Sequence, residues 1–172
     1  MKNKISPTGR EVLLEETDFI VSKTDRQGRL TYANRMFMRI SGFKESELIG
    51  VQHNIVRHPD MPRSVFKLLW DTISSGQECF AYVKNLCKNG DHYWVMANVT
   101  PDYDQKGQIV GYFSVRRRPE EGAIRIIEPL YRDMLAAEQA AGSRDAIAAG
   151  TAVLMKHVLQ RHKAYENFIL GL

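Results

Sequence analysis

Two apolar runs joined through an Asn-Gly pair constrain this chain more than any other feature. Phe80 to Leu86 and Tyr93 to Val99 flank Lys88-Asn89-Gly90-Asp91. Asn-Gly accepts the positive φ of a tight turn, so the two runs should pair as an antiparallel hairpin. A third run, Ile109 to Val115, follows the turn Gln105-Lys106-Gly107. Upstream, Phe19-Ile20-Val21, Asp25-Arg26-Gln27-Gly28 and Leu30-Thr31-Tyr32 read as strand, turn and strand. Between these halves the period becomes helical. Met36, Phe37 and Ile40 mark a short helix ending at Gly42, and Lys44 to Leu48 adds another turn closed by Gly50. Val65, Phe66, Leu69, Trp70 and Ile73 recur at i, i+3 and i+4 and predict the longest helix of this part, stopped by Gly76. Two strands, a helical crossover and three strands predict an α+β fold: a five-stranded antiparallel sheet with helices on one face.

At 172 residues, 44% apolar and 26% charged, the chain can bury one core and carry an appendage. The net charge of +4 is modest and scattered. Its one dense cluster, Arg116-Arg117-Arg118, reads as a solvated strand end, and no broad basic face points to nucleic acid. Two cysteines, Cys79 and Cys87, are too few for a disulfide scaffold. The start, Met1 to Ser6, lacks the apolar segment of an export signal, and no apolar stretch reaches the length of a membrane span. A cytoplasmic protein without direct membrane insertion is therefore expected. Residues 1–16 form an N-terminal cap and residues 17–118 the principal domain. Beyond Pro119 the sequence is Ala-rich and strand-free, so residues 119–172 predict a helical extension, bent near Pro129 and broken at Gly142-Ser143. In its last helix Ile147, Thr151, Leu154, Val158, Tyr165, Ile169 and Leu172 form an apolar stripe, interrupted at Arg161-His162. Folding back on the sheet, self-association as a homodimer, or a partner would bury that stripe. The partner surface is the preferred reading, which makes the extension an output or assembly element.

Residues His53-Asn54-Ile55-Val56-Arg57-His58-Pro59-Asp60-Met61-Pro62 fit neither the helical nor the strand period. The prolines stiffen the backbone and push His58 and Met61 toward extended geometry. A rigid loop presenting arginine, histidine and aspartate together suits an anionic or polar ligand. The alternative is a solvated charged loop.

This loop, together with Lys88-Asn89-Gly90-Asp91-His92-Tyr93-Trp94 and Gly111-Tyr112-Phe113-Ser114-Val115-Arg116, resembles the PAS domains of bacterial aerotaxis transducers. The resemblance runs from about Thr17 to Arg118. It implies a PAS fold, FAD as cofactor, and a redox or energy sensor that signals to a separate chemotaxis receptor. It also places Arg57, His58 and Asp60 at flavin-binding positions. For Arg57 and Asp60 a structural salt bridge is the alternative. His58 either bonds flavin or caps the loop, and His53 suits a cap equally well.

A strand amide facing the helices is costly unless it finds a partner. Asn85 and Asn34 are therefore candidates for the polar edge of a flavin ring, against a solvent-facing placement. Trp70 either walls a planar ring or joins the core, and His92 is expected to be exposed beside its turn. The run Glu78-Cys79-Phe80 departs from the family, placing Cys79 where an aromatic is usual. Two competing readings stay open: a ligand-free PAS adaptor or dimerisation module, and a haem-based gas sensor. No nucleophile–base pair, paired carboxylate or metal-ligand spacing suggests an enzyme. His157 with His162 is a poor chelating pair.

Overall fold

Gly90 takes a φ of 92°, and Cys87 N donates to Asp91 O at 2.7 Å, closing the expected hairpin. The computed structural model describes residues 5–161 and 164–172, so His162 and residues 1–4 lie outside the described residues. Strands β3 (Cys79–Leu86) and β4 (His92–Tyr103) pair from Cys79↔Val99 to Leu86↔His92. Strand β5 (Ile109–Arg117) joins β4 and then β1 (Ile20–Asp25), and β2 (Leu30–Ala33) closes the other edge. The sheet is five-stranded and antiparallel, in the order β2-β1-β5-β4-β3.

Because strand side chains alternate, the register sorts the residues by face. Ile20, Ser22 and Thr24 of β1 share the inner face with Arg116, Ser114 and Tyr112 of β5. Ala97 and Val99 of β4 and Ala81, Val83 and Asn85 of β3 complete it. Across this face lie α1 (Arg35–Ser41), α2 (Glu45–Leu48), a 3₁₀ turn (His53–Val56) and α3 (Arg63–Ser74).

The N-terminal segment is pinned to the β3–β4 hairpin. Thr8 N donates to Gly90 O at 2.8 Å, His92 N donates to Arg10 O at 2.9 Å, and Arg10 pairs with Asp91. This segment covers His92, which is buried rather than exposed, its ring edge-on to His58 at 5.7 Å.

The extension consists of α4 (Glu121–Gln160) and α5 (Tyr165–Leu170). Gly142, at φ 73° and ψ 173°, breaks α4 where the sequence places the break, whereas the backbone stays helical through Pro129. Ile127, Tyr131, Met134, Leu154, Val158, Phe168 and Ile169 all join the core of the sheet domain. Each buried side chain of this size contributes about 1.5–3 kcal/mol, which suffices to hold the extension in place. Of the expected stripe, Leu154, Val158 and Ile169 are buried, Ile147 is half-buried and Thr151 is exposed. Ala146 and Gly150 take the inward positions, and at Gly150 the missing side chain permits a close approach to Ser64 of α3. Among the described residues no helix is long and apolar enough to cross a membrane.

Candidate functional site

Between the inner face and the helices lies a cavity of about 300 Å³. Phe66, Leu69, Trp70 and Ile73, on one side of α3, form one wall; Val83, Ala97 and Val99 form part of the other. These apolar residues face each other because α3 keeps its helical stripe toward the strands' inward positions. Trp70 sits at the rim, 36% exposed, edge-on to Tyr112 at 5.4 Å. Gly28, in the β1–β2 turn, takes φ 79°, and a Cβ there would meet the Trp70 ring at 3.0 Å. Glycine thus serves both the turn and the indole beside it.

The polar lining is cationic. Arg116 is 2% exposed, and its guanidinium donates to Ser22 Oγ at 2.5 Å and to His53 Nε2 at 3.1 Å. It also lies over the Phe37 ring, 4.6 Å from the centroid. Its Nε has no partner among the described residues, nor has Nδ2 of Asn85. Among the described residues no carboxylate lines the cavity. Burial brings the Arg116 pKa down to about 10, and burial together with the charge of Arg116 brings His53 down to about 3. His53 is therefore neutral at physiological pH and accepts from Arg116.

Arg57 lines the cavity from the loop. Its Nη2 donates to Met61 O at 3.1 Å, and its guanidinium lies 4.4 Å from the centroid of Phe66. An isolated antiparallel bridge joins Arg57 to Asn85, so loop and β3 position each other at the site. The structure thus gathers Arg57, His53, Asn85 and Trp70 around one cavity.

Asn34, His58 and Asp60 are not among its lining residues. Asn34 caps α1: Oδ1 accepts from Phe37 N at 3.0 Å and Val21 N at 3.1 Å, and Nδ2 donates to Phe19 O at 2.8 Å. This is the usual use of a short amide at a helix start. His58 is buried and accepts from Asp60 N through Nδ1 at 3.1 Å. Asp60 pairs with Lys84 Nζ at 2.9 Å on the other side of the loop. Cys79 is buried beside Ile73 and Tyr112, outside the cavity lining, and burial pushes its thiol up to about 11. It carries no thiolate at neutral pH.

Arg116 is the residue sequence reasoning missed. The triplet Arg116-Arg117-Arg118 divides: Arg117 is exposed, Arg118 half-buried and Arg116 buried in the cavity, so the solvated strand end holds only in part. The alternation Tyr112, Ser114, Arg116 along β5 carried the signal.

Comparison with known proteins agrees with this architecture. The PAS fold family matches residues 30–116, which include four of the five strands and all three inner helices. The chain belongs to the PAS family. This PAS domain is 43% identical over 125 residues to the aerotaxis receptor of Escherichia coli (strain K12), covering 73% of this chain and 24% of that protein. It is 25% identical over 105 residues to a nitrogen fixation regulatory protein of Klebsiella pneumoniae, covering 61% and 21% of the two chains. The chain therefore spans about a quarter of the length of these relatives or less. Among solved structures it resembles the dark state of the blue-light photoreceptor Aureochrome1 LOV, with a TM-score of 0.54 and 24% identity, covering 63% of this chain and 80% of that one. A Light-Oxygen-Voltage domain described with a flavin analogue gives a TM-score of 0.56 at 19% identity, covering 63% and 82%. These structural likenesses concern the fold.

Proposed function

We propose that this PAS domain is a redox sensor that holds the ring system of FAD in the cavity and signals, in the cytoplasm, to a separate chemotaxis receptor. The observation that carries the reading is the pair of unpartnered buried donors, Arg116 Nε and Asn85 Nδ2, in a cavity whose α3 wall is apolar and aromatic. An unsatisfied buried donor costs about 1–3 kcal/mol, so such a pair is maintained for a ligand that supplies acceptors. The residues fit a flat amphipathic ring: Phe66, Leu69 and Val99 would flank its faces, while Asn85, Arg116 and Arg57 would hold its polar edge. At about 300 Å³ the volume is at the low end for small-molecule sites, so a dinucleotide would place its ring inside and project the remainder past the rim.

When bound, flavin supplies an electron acceptor whose hydrogen-bonding edge and charge change on reduction. The chain's contribution is a cationic enclosure. Arg116 and Arg57 favour added negative charge, and neutral His53 adds no charge of its own. Asn85 presents an amide donor that would bond the polar edge of the ring and would respond to a change in that edge's protonation. Haem is less well accommodated: among the described residues the one histidine lining the cavity already accepts from Arg116 through Nε2. The similarity to the aerotaxis receptor supports the choice of a chemotaxis receptor as partner.

Denaturing the purified protein and chromatographing whatever chromophore it releases tests the cofactor. FAD is expected. Release of FMN or haem, or of nothing after incubation with FAD, overturns the assignment.

A further inference from the structure

Helix α3 begins without a cap of its own. Its N-cap residue is Pro62, which makes no side-chain capping bond. The cap comes instead from α4, on the far side of the break in sequence between domain and extension. Glu138 Oε2 accepts from Arg63 N at 3.0 Å, and Oε1 accepts from Ser64 N at 2.9 Å and Ser64 Oγ at 2.6 Å. Glu138 is only 5% exposed and Ser64 1%. A buried carboxylate is expensive unless fully bonded, and here the positive end of a helix bonds both of its oxygens.

The second half of α4 encloses this contact. A Cβ on Gly150 would strike both Ser64 Oγ and Glu138 Oε1, so a glycine lets the helix come down directly over the bond. Release of Glu138 would therefore loosen both halves of α4, before and after Gly142.

The other end of the same connection lies at the cavity. Helix α3 supplies the Phe66–Trp70 wall, and the loop leading into it carries Arg57, whose Nη2 is tied to Met61 O. Only Pro62 separates Met61 from the capped Arg63. The Arg57 pKa is lowered by burial, and the charge of Glu138 acts against that lowering, so the two ends also interact electrostatically.

We propose that Glu138 couples the cavity to the C-terminal extension: a change in Arg57 contacts shifts Met61–Ser64, weakens or tightens the cap, and thereby undocks or docks α4. This inference rests on the reading of the cavity as a ligand site. It names the output of that site as the α3–α4 contact, rather than a sheet face. The force involved is adequate, because hydrogen bonds to a charged group are the strong class, and losing them moves a two-state equilibrium about tenfold or more.

Amide hydrogen exchange on the full chain, with and without FAD, tests the proposal. FAD binding is followed separately by absorbance. In the wild type, FAD should change exchange at residues 63–68 and 143–158 together. In Glu138→Ala, residues 143–158 should exchange about tenfold faster or more. FAD should still bind that variant but no longer alter exchange in those residues. Glu138→Gln, which keeps the side-chain volume, should show the same direction with smaller amplitude and stands in if the alanine variant does not fold.

An extension response to FAD that is as large in the Glu138 variants as in the wild type overturns the coupling. So does bound FAD that leaves residues 143–158 unchanged in the wild type. If FAD does not bind at all, the cavity reading fails and Arg57→Ala tests the coupling without ligand. That substitution should accelerate exchange at residues 143–158 in the wild type but not in the Glu138→Ala background. Equal effects in the two backgrounds, or none, reject it.

Discussion

Arg116 donates from Nη1 to Nε2 of His53 at 3.1 Å, bringing together two residues 63 positions apart at one cavity. An arginine can only donate, so this nitrogen accepts and the imidazole proton resides on Nδ1. The contact sets the character of the site. It fixes a neutral histidine beside a buried cation that has no acidic neighbour in the cavity lining.

The first consequence is acid sensitivity. Burial and the charge of Arg116 hold His53 at about 3 in the folded protein, against an ordinary value of 6.5. Between those values the unfolded chain binds a proton that the folded chain does not. Stability therefore rises with pH through this window and is lost as pH falls from about 6.5 toward 3. His58, lowered by its own burial against the pull of Asp60, acts in the same direction. His53 contributes at most about 1.4 kcal/mol per pH unit, the limit for a single proton bound or released. Urea unfolding midpoints measured across the acid range should flatten in His53→Gln; an unchanged slope contradicts this origin.

Arg116→Met should separate stability from binding. The variant keeps the length of the side chain while removing a buried charge that lacks an acid, a replacement that is often neutral or favourable for folding. Unliganded thermal stability should be maintained or raised, while FAD affinity falls about tenfold or more through loss of a charged hydrogen bond. Unchanged affinity would show that the guanidinium serves the fold alone.

Asn85→Ala should behave similarly for a different reason. It removes the unpartnered Nδ2 donor, so the unliganded protein should gain about 1 kcal/mol, less the packing lost. FAD affinity should fall about fivefold to tenfold, the equivalent of one neutral hydrogen bond. Chemical denaturation and a FAD titration of the same samples check both halves. Loss of stability together with unaltered affinity would show the amide to be structural.

The sheet was legible in the sequence because its signals are local. Asn89-Gly90 fixes a turn, and alternation fixes the two faces on either side of it. The cavity was legible in part. Arg57 and Asn85 could be named from a stiff loop and a strand amide, and the structure brings them together through a bridge. Arg116 was hidden by its neighbours, since three consecutive arginines look solvated unless β5 is read by alternate positions. Asn34 shows the opposite difficulty. Its short amide suits a ligand and a helix cap equally, and only the three-dimensional arrangement reveals that its hydrogen bonds go to Phe19, Val21 and Phe37. The docking of the extension depends on contacts such as Glu138–Ser64, separated by 74 residues, which no local pattern announces.

Asp60 and Arg57 should differ although they share one loop. Arg57 lines the cavity, whereas Asp60 pairs with Lys84 outside its lining. Arg57→Ala should lower FAD affinity about tenfold or more, and Asp60→Ala should act mainly through loop order, with a smaller loss. Parallel FAD titrations decide this. Equal and complete loss in both would place Asp60 in direct contact with the ligand.

The most direct measurement is a fluorescence titration of FAD with the 172-residue chain, its Arg116→Met variant and the Arg116→Met/Asn85→Ala double variant. Saturable quenching is expected at one FAD per wild-type chain, with weaker binding in the single variant and weaker still in the double. FAD emission unaffected by the wild-type protein, or identical binding curves for all three proteins, would contradict it.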